Sequence, residues 1–241
     1  MSQILTSEII RRLAVGELSN LKMASAGDGT IAVADRPKVI LEINNALTEL
    51  FTNYLLMKKE LVINTTPTIL NYYLRREFAQ SNLASIQPVK YIDDSGIQNW
   101  DGRLVKILDA YDAFGNQLYM NKAQEPLSVF TPSFDCLQIT ANHQSEGIYV
   151  IFQALHPIVA YATGDTPVDT IIENLPPAFE KPLELLVASK IFGSMNGQAN
   201  LAKSALLHQA YESKLLESEI RDTTSISENM SNSKFDMNGF I

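Results

Sequence analysis

The stretch from Leu175 to Gly197, with the sequence LPPAFEKPLELLVASKIFGSMNG, limits the possible folds of this chain more than any other stretch. Its apolar residues fall on almost every side of a helix, which predicts that the helix is covered on most of its surface. We expect this helix to run from about Pro177 to about Met195. Its beginning is made rigid by three prolines: Pro176, Pro177 and Pro182.

Small side chains in the second half of this helix predict a close neighbour. The residues that leave room for another helix are Ala188, Ser189, Gly193 and Ser194. Gly197 fits the end of the helix, because glycine accepts a left-handed backbone conformation. The next stretch predicts an antiparallel partner helix of about 24 residues with two apolar stripes. One stripe consists of Ala199, Ala202, Leu206 and Ala210, and the other of Leu207, Tyr211 and Leu215.

Two more helices are predicted near the start of the chain. In the first, Ser7 is a candidate cap for the free backbone amides, and Glu8 favours the positive end of the helix. The second begins near Asp35, whose carboxylate is the candidate cap, and Pro37, and it continues for about 22 residues. Its apolar stripe consists of Val39, Ile43, Leu47, Phe51 and Tyr54.

The middle of the chain has the pattern of strands. From Glu60 to about Ala162, short segments rich in β-branched and aromatic residues are separated by Pro, Gly, Asn and Asp clusters. The clearest hairpin has Ala113 to Asn116 in its turn, where Gly115 accepts a positive φ. In the segment YVIFQAL, apolar residues fall on both faces, which predicts a strand buried on both sides. We therefore predict a β-sandwich.

The end of the chain differs in composition from the rest. Beyond Arg221 the sequence is dominated by Ser, Thr, Asn and Glu, which bury too little apolar surface to become ordered alone. The last residues nevertheless include an apolar cluster of Phe235, Met237, Phe240 and Ile241. We predict an arm that reaches for a partner, and the alternative is a frayed terminus without a function.

These patterns together predict an α+β fold with a discontinuous domain. Residues 1–59 and 170–222 form an antiparallel helical bundle, residues 60–169 are the inserted β-sandwich, and residues 223–241 are a flexible C-terminal arm.

Charge and cysteine content restrict the class of protein. The net charge of −8 argues against a surface that attracts nucleic acid phosphates or anionic lipid. Residues 1–16 lack the features of a signal peptide, and no run approaches the ~20 apolar residues that span a membrane. The single cysteine, Cys136, cannot form an internal disulfide, which fits a reducing cytoplasm. We expect a protein of a soluble compartment.

The sequence offers little for catalysis or metal binding. The three histidines, His143, His156 and His208, share no metal-ligand spacing. Cys136 with His156 is a conceivable nucleophilic pair, although packing as a small apolar residue is the favoured interpretation of the cysteine. The glycine-containing stretches AGDGT and GSMNG match neither a phosphate-binding loop nor a nucleophile elbow. We expect no enzymatic activity, no cofactor and no metal.

Two groups of charged residues allow alternative interpretations. One is a candidate cation loop for which exposed turn carboxylates are the favoured interpretation, and its members are Asp93, Asp94 and Asp101. The other is Lys190 in the apolar helix, which has Glu184 or Glu217 as a possible ion-pair partner. The favoured interpretation is that this lysine lays its stem along apolar surface and keeps its ammonium group in water.

Three stretches resemble the head-to-tail adaptor family of tailed phages, to which tail tubular protein A is related. The stretch ADRPKVILEINNALTELFTNYLLMKKELVINTTP resembles the first long helix of that family and its continuation into a β-region. The stretch LPPAFEKPLELLVASKIFGSMNGQANLAKSALLHQAYESKLLE resembles its most recognisable segment, with Tyr211 and Glu212 at the position of a YE pair. The closing NSKFDMNGFI resembles a terminal arm, with Phe240 where the family has a tryptophan.

The resemblance implies a virion structural protein at the head–tail junction of a bacteriophage. Such a protein forms a ring of about twelve copies beneath the portal protein, joins the DNA-filled capsid to the tail and meets a tail or nozzle protein. Genomic DNA passes through the ring during ejection without tight binding. The residues implied in contact with the portal or a neighbouring subunit are Lys234, Phe235, Met237, Phe240 and Ile241. Another tail-completion or tail-tube component and a non-viral helical scaffold are the alternatives.

Overall fold

Two compact units divide the chain. The computed structural model describes residues 4–24, 29–95, 99–125, 127–139, 147–163 and 168–220. One unit comprises Met1–Leu56 with His156–Ile241, and the other comprises Met57–Leu155. Helices and antiparallel sheets are both present, so the predicted α+β class is confirmed.

The elements follow one another in an α, β, α order. In chain order they are β1 (Ile4–Leu5), α1 (Thr6–Val15), α2 (Arg36–Asn53), β2 (Lys58–Asn64), β3 (Asn71–Tyr73), β4 (Ile92–Asp93), β5 (Leu104–Tyr111), β6 (Phe130–Ser133), β7 (Cys136–Gln138), β8 (Gly147–Ala154), β9 (Tyr161–Ala162), β10 (Val168–Asp169), β11 (Ile171–Ile172), α3 (Pro177–Gly193) and α4 (Gln198–Ile220). A single 3-10 turn lies between β3 and β4, at Arg76–Phe78.

All four predicted helices are present, with small differences at their ends. The second has 18 residues rather than about 22, because Tyr54 takes an extended conformation at φ −119° and ends it. Its predicted stripe is buried from Val39 to Phe51. The third ends at Gly193, two positions before the predicted Met195.

The predicted caps of the first two helices are wrong. Ser7 lies inside α1, and its backbone N–H donates to Oδ1 of Asp169 at 3.0 Å. The carboxylate that satisfies this free amide therefore comes from β10, far along the chain. Asp35 precedes α2, but its side chain makes no capping hydrogen bond.

Helix α3 is the centre of the first unit. It packs against α1, α2 and α4, and it buries residues on all of its sides, as its sequence predicts. Tyr54, just after α2, meets Phe179 of α3 edge to face with the ring centroids 5.0 Å apart. The antiparallel bundle arrangement itself stays a prediction.

The residues that follow β8 belong to the unit that contains the helices, not to the unit that contains β2–β8. The units change at 56/57 and 155/156, whereas the predicted boundaries are 59/60 and 169/170. The reason is visible at Asn44 of α2, whose side-chain amide donates to the carbonyl of Val159 at 3.0 Å and accepts from its N–H at 2.9 Å. Strand pairs β1–β11 and β9–β10 complete this unit.

The second unit contains two antiparallel sheets. Four strands lie in the order β4-β2-β8-β5, and three lie in the order β3-β7-β6. Strand β8 alternates: Val150 and Phe152 are buried, whereas Tyr149 is 37% exposed. The prediction that both faces of β8 are buried is therefore wrong, because its apolar outer face is not covered by the described chain. The sandwich arrangement of the sheets stays a prediction.

The predicted hairpin after β5 is confirmed. Its turn is closed by a hydrogen bond from the N–H of Asp112 to the carbonyl of Asn116 at 3.0 Å. Gly115 has φ +83°, the left-handed conformation that glycine accepts without strain. The turn carries Phe114 with 79% of its surface exposed.

Candidate functional site

The contact residues implied by the family resemblance all follow α4. Lys234, Phe235, Met237, Phe240 and Ile241 lie within residues 221–241, outside the described part of the chain. Their contact with a portal or neighbouring subunit stays a prediction. The surfaces available for interpretation are therefore those of the two described units.

His156 is buried, and both of its ring nitrogens are engaged. Nδ1 lies 2.6 Å from the carbonyl oxygen of Pro157, and Nε2 accepts a hydrogen bond from the N–H of Glu173 at 2.9 Å. These contacts fit a neutral ring that carries its proton on Nδ1. The ring also meets Phe51 of α2 edge to face at 5.1 Å. His156 is thus built into the packing, and neither nitrogen is placed to accept a substrate proton.

The other described candidates for metal or nucleophilic chemistry do not come together as a site. Across the residues for which the structure gives positions, no group of three or more His, Cys, Asp or Glu side chains is arranged to hold a metal ion. His143 lies outside that set, and His208 is on the surface of α4. Cys136 is buried, and burial together with the charge of Asp135 raises the pKa of its thiol. Its predicted role as a small packing residue is confirmed.

The three carboxylates of the candidate cation loop bind backbone amides. Asp93 accepts from the N–H of Ser95 at 3.2 Å, and Asp101 accepts from the N–H of Arg103 at 2.9 Å. Asp94 is 6% exposed, and it accepts from the hydroxyl of Ser81 and from the N–H of Trp100. Burial would raise the pKa of Asp94, but these hydrogen bonds outweigh it and hold the pKa below its usual value. The favoured interpretation as turn carboxylates is confirmed, although Asp94 is buried rather than exposed.

Arg12 joins α1 to α3 through charged hydrogen bonds. Its Nη1 lies 2.7 Å from Oε2 of Glu180 and 3.5 Å from Oε1 of Glu184. Its Nε lies 2.9 Å from Oε1 of Glu8. The hydrogen bonds to Glu180 and Glu8 raise the pKa of Arg12 above its ordinary value. Glu184 is only 7% exposed, so its ion pair with Arg12 lies at a nearly buried position between the two helices.

Lys190 has a partner that the sequence pattern did not predict. Its Nζ lies 2.8 Å from Oε2 of Glu49 on α2, so the predicted partners Glu184 and Glu217 are both wrong. Glu184 instead pairs with Lys181 at 3.1 Å and with Arg12. The periodicity of one helix gives the direction of Lys190 but not the identity of the residue opposite it.

Close packing of α4 on α3 buries one of its two apolar stripes. Ser189 Oγ donates to the carbonyl of Ser204 at 3.0 Å, and Ser204 Oγ donates to the carbonyl of Ser189 at 2.8 Å. A Cβ at Gly193 would lie 3.0 Å from Ser204 Oγ. The close approach predicted from small residues is confirmed. The stripe that α4 buries consists of Leu207, Tyr211 and Leu215.

The second stripe of α4 faces outward. Leu206 is 63% exposed, and Ala199 and Ala202 beside it are exposed as well. Leu201 at 63% and Leu216 at 57% extend the apolar surface along the helix. Exposed charged residues on the same helix are Lys203 and Glu212. We call the surface formed by Ala199, Leu201, Ala202, Leu206 and Leu216 the outer face of α4.

No family model matches the sequence, and no curated protein matches it significantly.

The outer face of α4 is the feature most suited to a function. Large apolar side chains gathered on one exposed helix face are typical of a surface that another helix or protein covers. The sequence signal for it is the presence of two apolar stripes on one helix, because a helix at the edge of a single chain needs only one. Among the described helices, none has the length and hydrophobicity needed to cross a membrane.

Proposed function

We propose that this protein is a head-to-tail adaptor of a tailed phage. In this proposal several copies form a ring beneath the portal protein, join the DNA-filled capsid to the tail and surround the path by which the genome leaves. The observation that carries the proposal is the outer face of α4, because a ring subunit needs apolar surface beyond that used for its own core.

Helix packing within the first unit supports an assembly role for this face. Helix α3 is already covered by α1, α2 and α4, so the outer face of α4 is not needed to complete the core. Burying Leu206 against a neighbouring copy would contribute about 1.5–3 kcal/mol before ordering costs. Repeated around a closed ring, contacts of this kind are formed by every subunit and hold it together.

The charge of the chain supports a channel through which DNA slides. A net charge of −8 gives a surface that repels phosphates, and a protein that must release a genome benefits from weak DNA contact. Tight binding of DNA would need a cluster of Lys and Arg on one surface. Several of the described basic side chains are instead paired with carboxylates, as Arg12 is with Glu180 and Lys190 with Glu49.

The C-terminal arm supplies a second contact in this proposal. Residues 221–241 follow α4 directly and end in the apolar cluster that contains Phe235, Met237, Phe240 and Ile241. With Lys234, these residues bind the portal or the neighbouring subunit. An arm that inserts into a partner adds interface area at the cost of ordering a short segment.

Native mass spectrometry of the purified protein, alone and with the portal protein, tests the proposal. We expect a closed ring, or a monomer that becomes a stoichiometric ring on the portal. Leu206→Asp should weaken this ring and its assembly on the portal, while Val33→Asp, at a position 70% exposed and outside α4, serves as the matched control. A monomer that ignores the portal overturns the proposal, and binding to a tail protein alone favours the tail-completion alternative.

A further inference from the structure

The loop between the 3-10 turn and β4 presents two apolar side chains to solvent. Leu83 is 90% exposed and Ile86 is 96% exposed, which are the two highest values among the large exposed apolar residues of the described chain. Isolated exposed apolar residues are ordinary. Two of them three positions apart on one loop form a compact projection, which we call the apolar knob.

Hydrogen bonds hold the backbone beneath the apolar knob. Ser85 Oγ donates to the carbonyl of Glu77 at 2.6 Å, and Lys90 Nζ donates to the carbonyl of Asn82 at 2.5 Å. Asn82 Nδ2 in turn donates to the carbonyl of Arg76 at 3.1 Å. Because the loop is fixed before any contact forms, a partner that covers the knob does not have to order it.

An open apolar cavity lies on the same unit, at the outer face of the four-stranded sheet. Its volume is about 450 Å³, and its apolar wall is formed by Tyr111, Phe114, Tyr149 and Ile151. Tyr111 of β5 and Tyr149 of β8 are direct cross-strand neighbours, so the floor of the cavity is rigid sheet. The residues of the apolar knob are not part of its lining.

The charges around the two features are complementary. The charged residues that line the cavity are Glu60 and Asp112, both acidic. The loop that carries the knob is bounded by Arg76 and Lys90, with Glu77 as the acidic residue between them. The knob loop thus carries a net positive charge, with Lys90 Nζ at the carbonyl of Asn82 next to Leu83, and this charge favours docking on a cavity lined by acidic groups.

We propose that the apolar knob of one copy occupies the apolar cavity of the next copy. The knob and the cavity are different surfaces of one unit, so one copy can use both at once, and in the proposed ring the contact is head to tail and repeats from each copy to the next. The two aliphatic side chains fit the aromatic and aliphatic wall formed by Phe114, Tyr149 and Ile151. This contact deepens the proposed ring and rests on it, since it assigns the β-rich units a role in joining subunits.

Sedimentation velocity of full-length variants tests the contact apart from the outer face of α4. All chains carry Leu206→Asp, which removes the helix contact, and are measured from micromolar to millimolar concentration. Leu83→Asp with Ile86→Asp should weaken self-association roughly 100-fold, and Phe114→Asp should do the same. Mixing the knob variant with the cavity variant should restore a one-to-one complex and nothing larger, because each supplies the surface that the other lacks. Any of three outcomes overturns the proposal: the knob variant associates as its parent does, the parent chain does not self-associate, or the mixture stays monomeric.

Cross-linking between single-cysteine variants gives the orientation of the contact. A chain with Ile86→Cys mixed with a chain with Phe114→Cys should yield more bismaleimide-linked dimer than either chain alone. Val33→Cys in place of Ile86→Cys is the control, and the native Cys136 is too buried, at 1% exposure, to react. If Ile86→Cys alone gives as much linked dimer as the mixture does, the contact is two-fold at that residue, and this would contradict the proposal. If the protein does not bind the portal but the mixed variants still pair, the adaptor function fails and the knob contact stands. If the variants still form a ring on the portal, the adaptor function stands and the knob contact fails.

Discussion

Ser189 on α3 and Ser204 on α4 exchange hydrogen bonds, each hydroxyl donating to the backbone carbonyl of the other residue at 3.0 and 2.8 Å. The exchange requires the two helices to approach closely, and Gly193 one turn further along α3 leaves space for the Ser204 hydroxyl. Each hydroxyl donates a hydrogen bond to a backbone carbonyl of the other helix, so each side chain joins its own helix to the backbone of its neighbour. This contact fixes which stripe of α4 is buried and which faces outward.

A large side chain at position 204 should separate these helices. We expect Ser204→Leu to lower the free energy of unfolding by about 1–3 kcal/mol, because the space opposite Ser189 and Gly193 has no room for the larger, branched side chain of leucine. Ala205→Leu is the matched control, since Ala205 is exposed on the same helix and its replacement should change stability by less than about 0.5 kcal/mol. Urea denaturation followed by circular dichroism measures both. Equal effects of the two substitutions would contradict the close packing.

Adjacent arginines on α1 should differ in their contribution to stability. Arg12→Gln removes a partner from the nearly buried Glu184 as well as from Glu180, and we expect a loss of about 1–3 kcal/mol. Arg11→Gln removes a surface pair with Glu8 and should have the smaller effect, because water and salt screen that pair. Thermal denaturation at low and high salt compares them. A larger loss for Arg11→Gln would show that the contact between α1 and α3 is of little consequence.

Acid should remove the stabilisation that Glu8 gives to helix α1 through its pairs with Arg11 and Arg12. Hydrogen bonds from Arg11 and Arg12 lower the pKa of Glu8 from 4.5 to about 2. A carboxylate with a depressed folded pKa stabilises the fold above its unfolded pKa, and this contribution is lost as the pH falls from about 4.5 to about 2. Because the pair is at the surface, we expect a loss of only about 0.5 kcal/mol after screening. Stability of wild type and of Glu8→Gln measured between these pH values should converge, and parallel curves would contradict the assignment.

Periodicity was enough to predict the helices but not their contacts. The four helices follow from apolar spacing, and the small residues at Ser189 and Gly193 correctly indicate a close neighbour. The partner of Lys190 and the cap at Ser7 were missed, since Glu49 and Asp169 are brought to those positions by tertiary structure. Spacing along one element carries no information on which residue of another element lies opposite.

Apolar composition also misled the prediction for β8. Tyr149 and Ile151 are as apolar as the buried Val150 and Phe152, so the sequence predicts burial on both sides. The described chain covers only one side, and the other forms the wall of the open cavity. The exposed knob at Leu83 and Ile86 carries no period that would distinguish it from an ordinary loop. Exposed apolar surfaces look like core in the sequence, and only the structure separates the two.

Neighbouring leucines on α4 should separate folding from assembly. Leu207 is 5% exposed, and Leu207→Ala should lower the free energy of unfolding by about 2–5 kcal/mol. Leu206 is 63% exposed, so Leu206→Ala should leave stability within about 0.5 kcal/mol of wild type and weaken assembly on the portal. Denaturation and native mass spectrometry on the same samples provide the two readouts. Wild-type assembly by Leu206→Ala would remove the outer face of α4 from the proposed interface.

Removal of the arm should leave a folded protein that fails to join heads to tails. Deletion of residues 229–241 takes away the apolar cluster but none of the described core, so we expect unchanged circular dichroism and thermal midpoint. Burial of Phe235, Phe240 and Ile241 would contribute on the order of 1.5–3 kcal/mol each before ordering costs, so their loss should prevent attachment to DNA-filled heads. Exchanging Ser231 and Ser233 for alanine in the full chain is the control, because it alters the arm without touching its apolar end. In vitro complementation of heads that lack the protein measures attachment, and normal attachment by the truncated chain would show that the arm is dispensable.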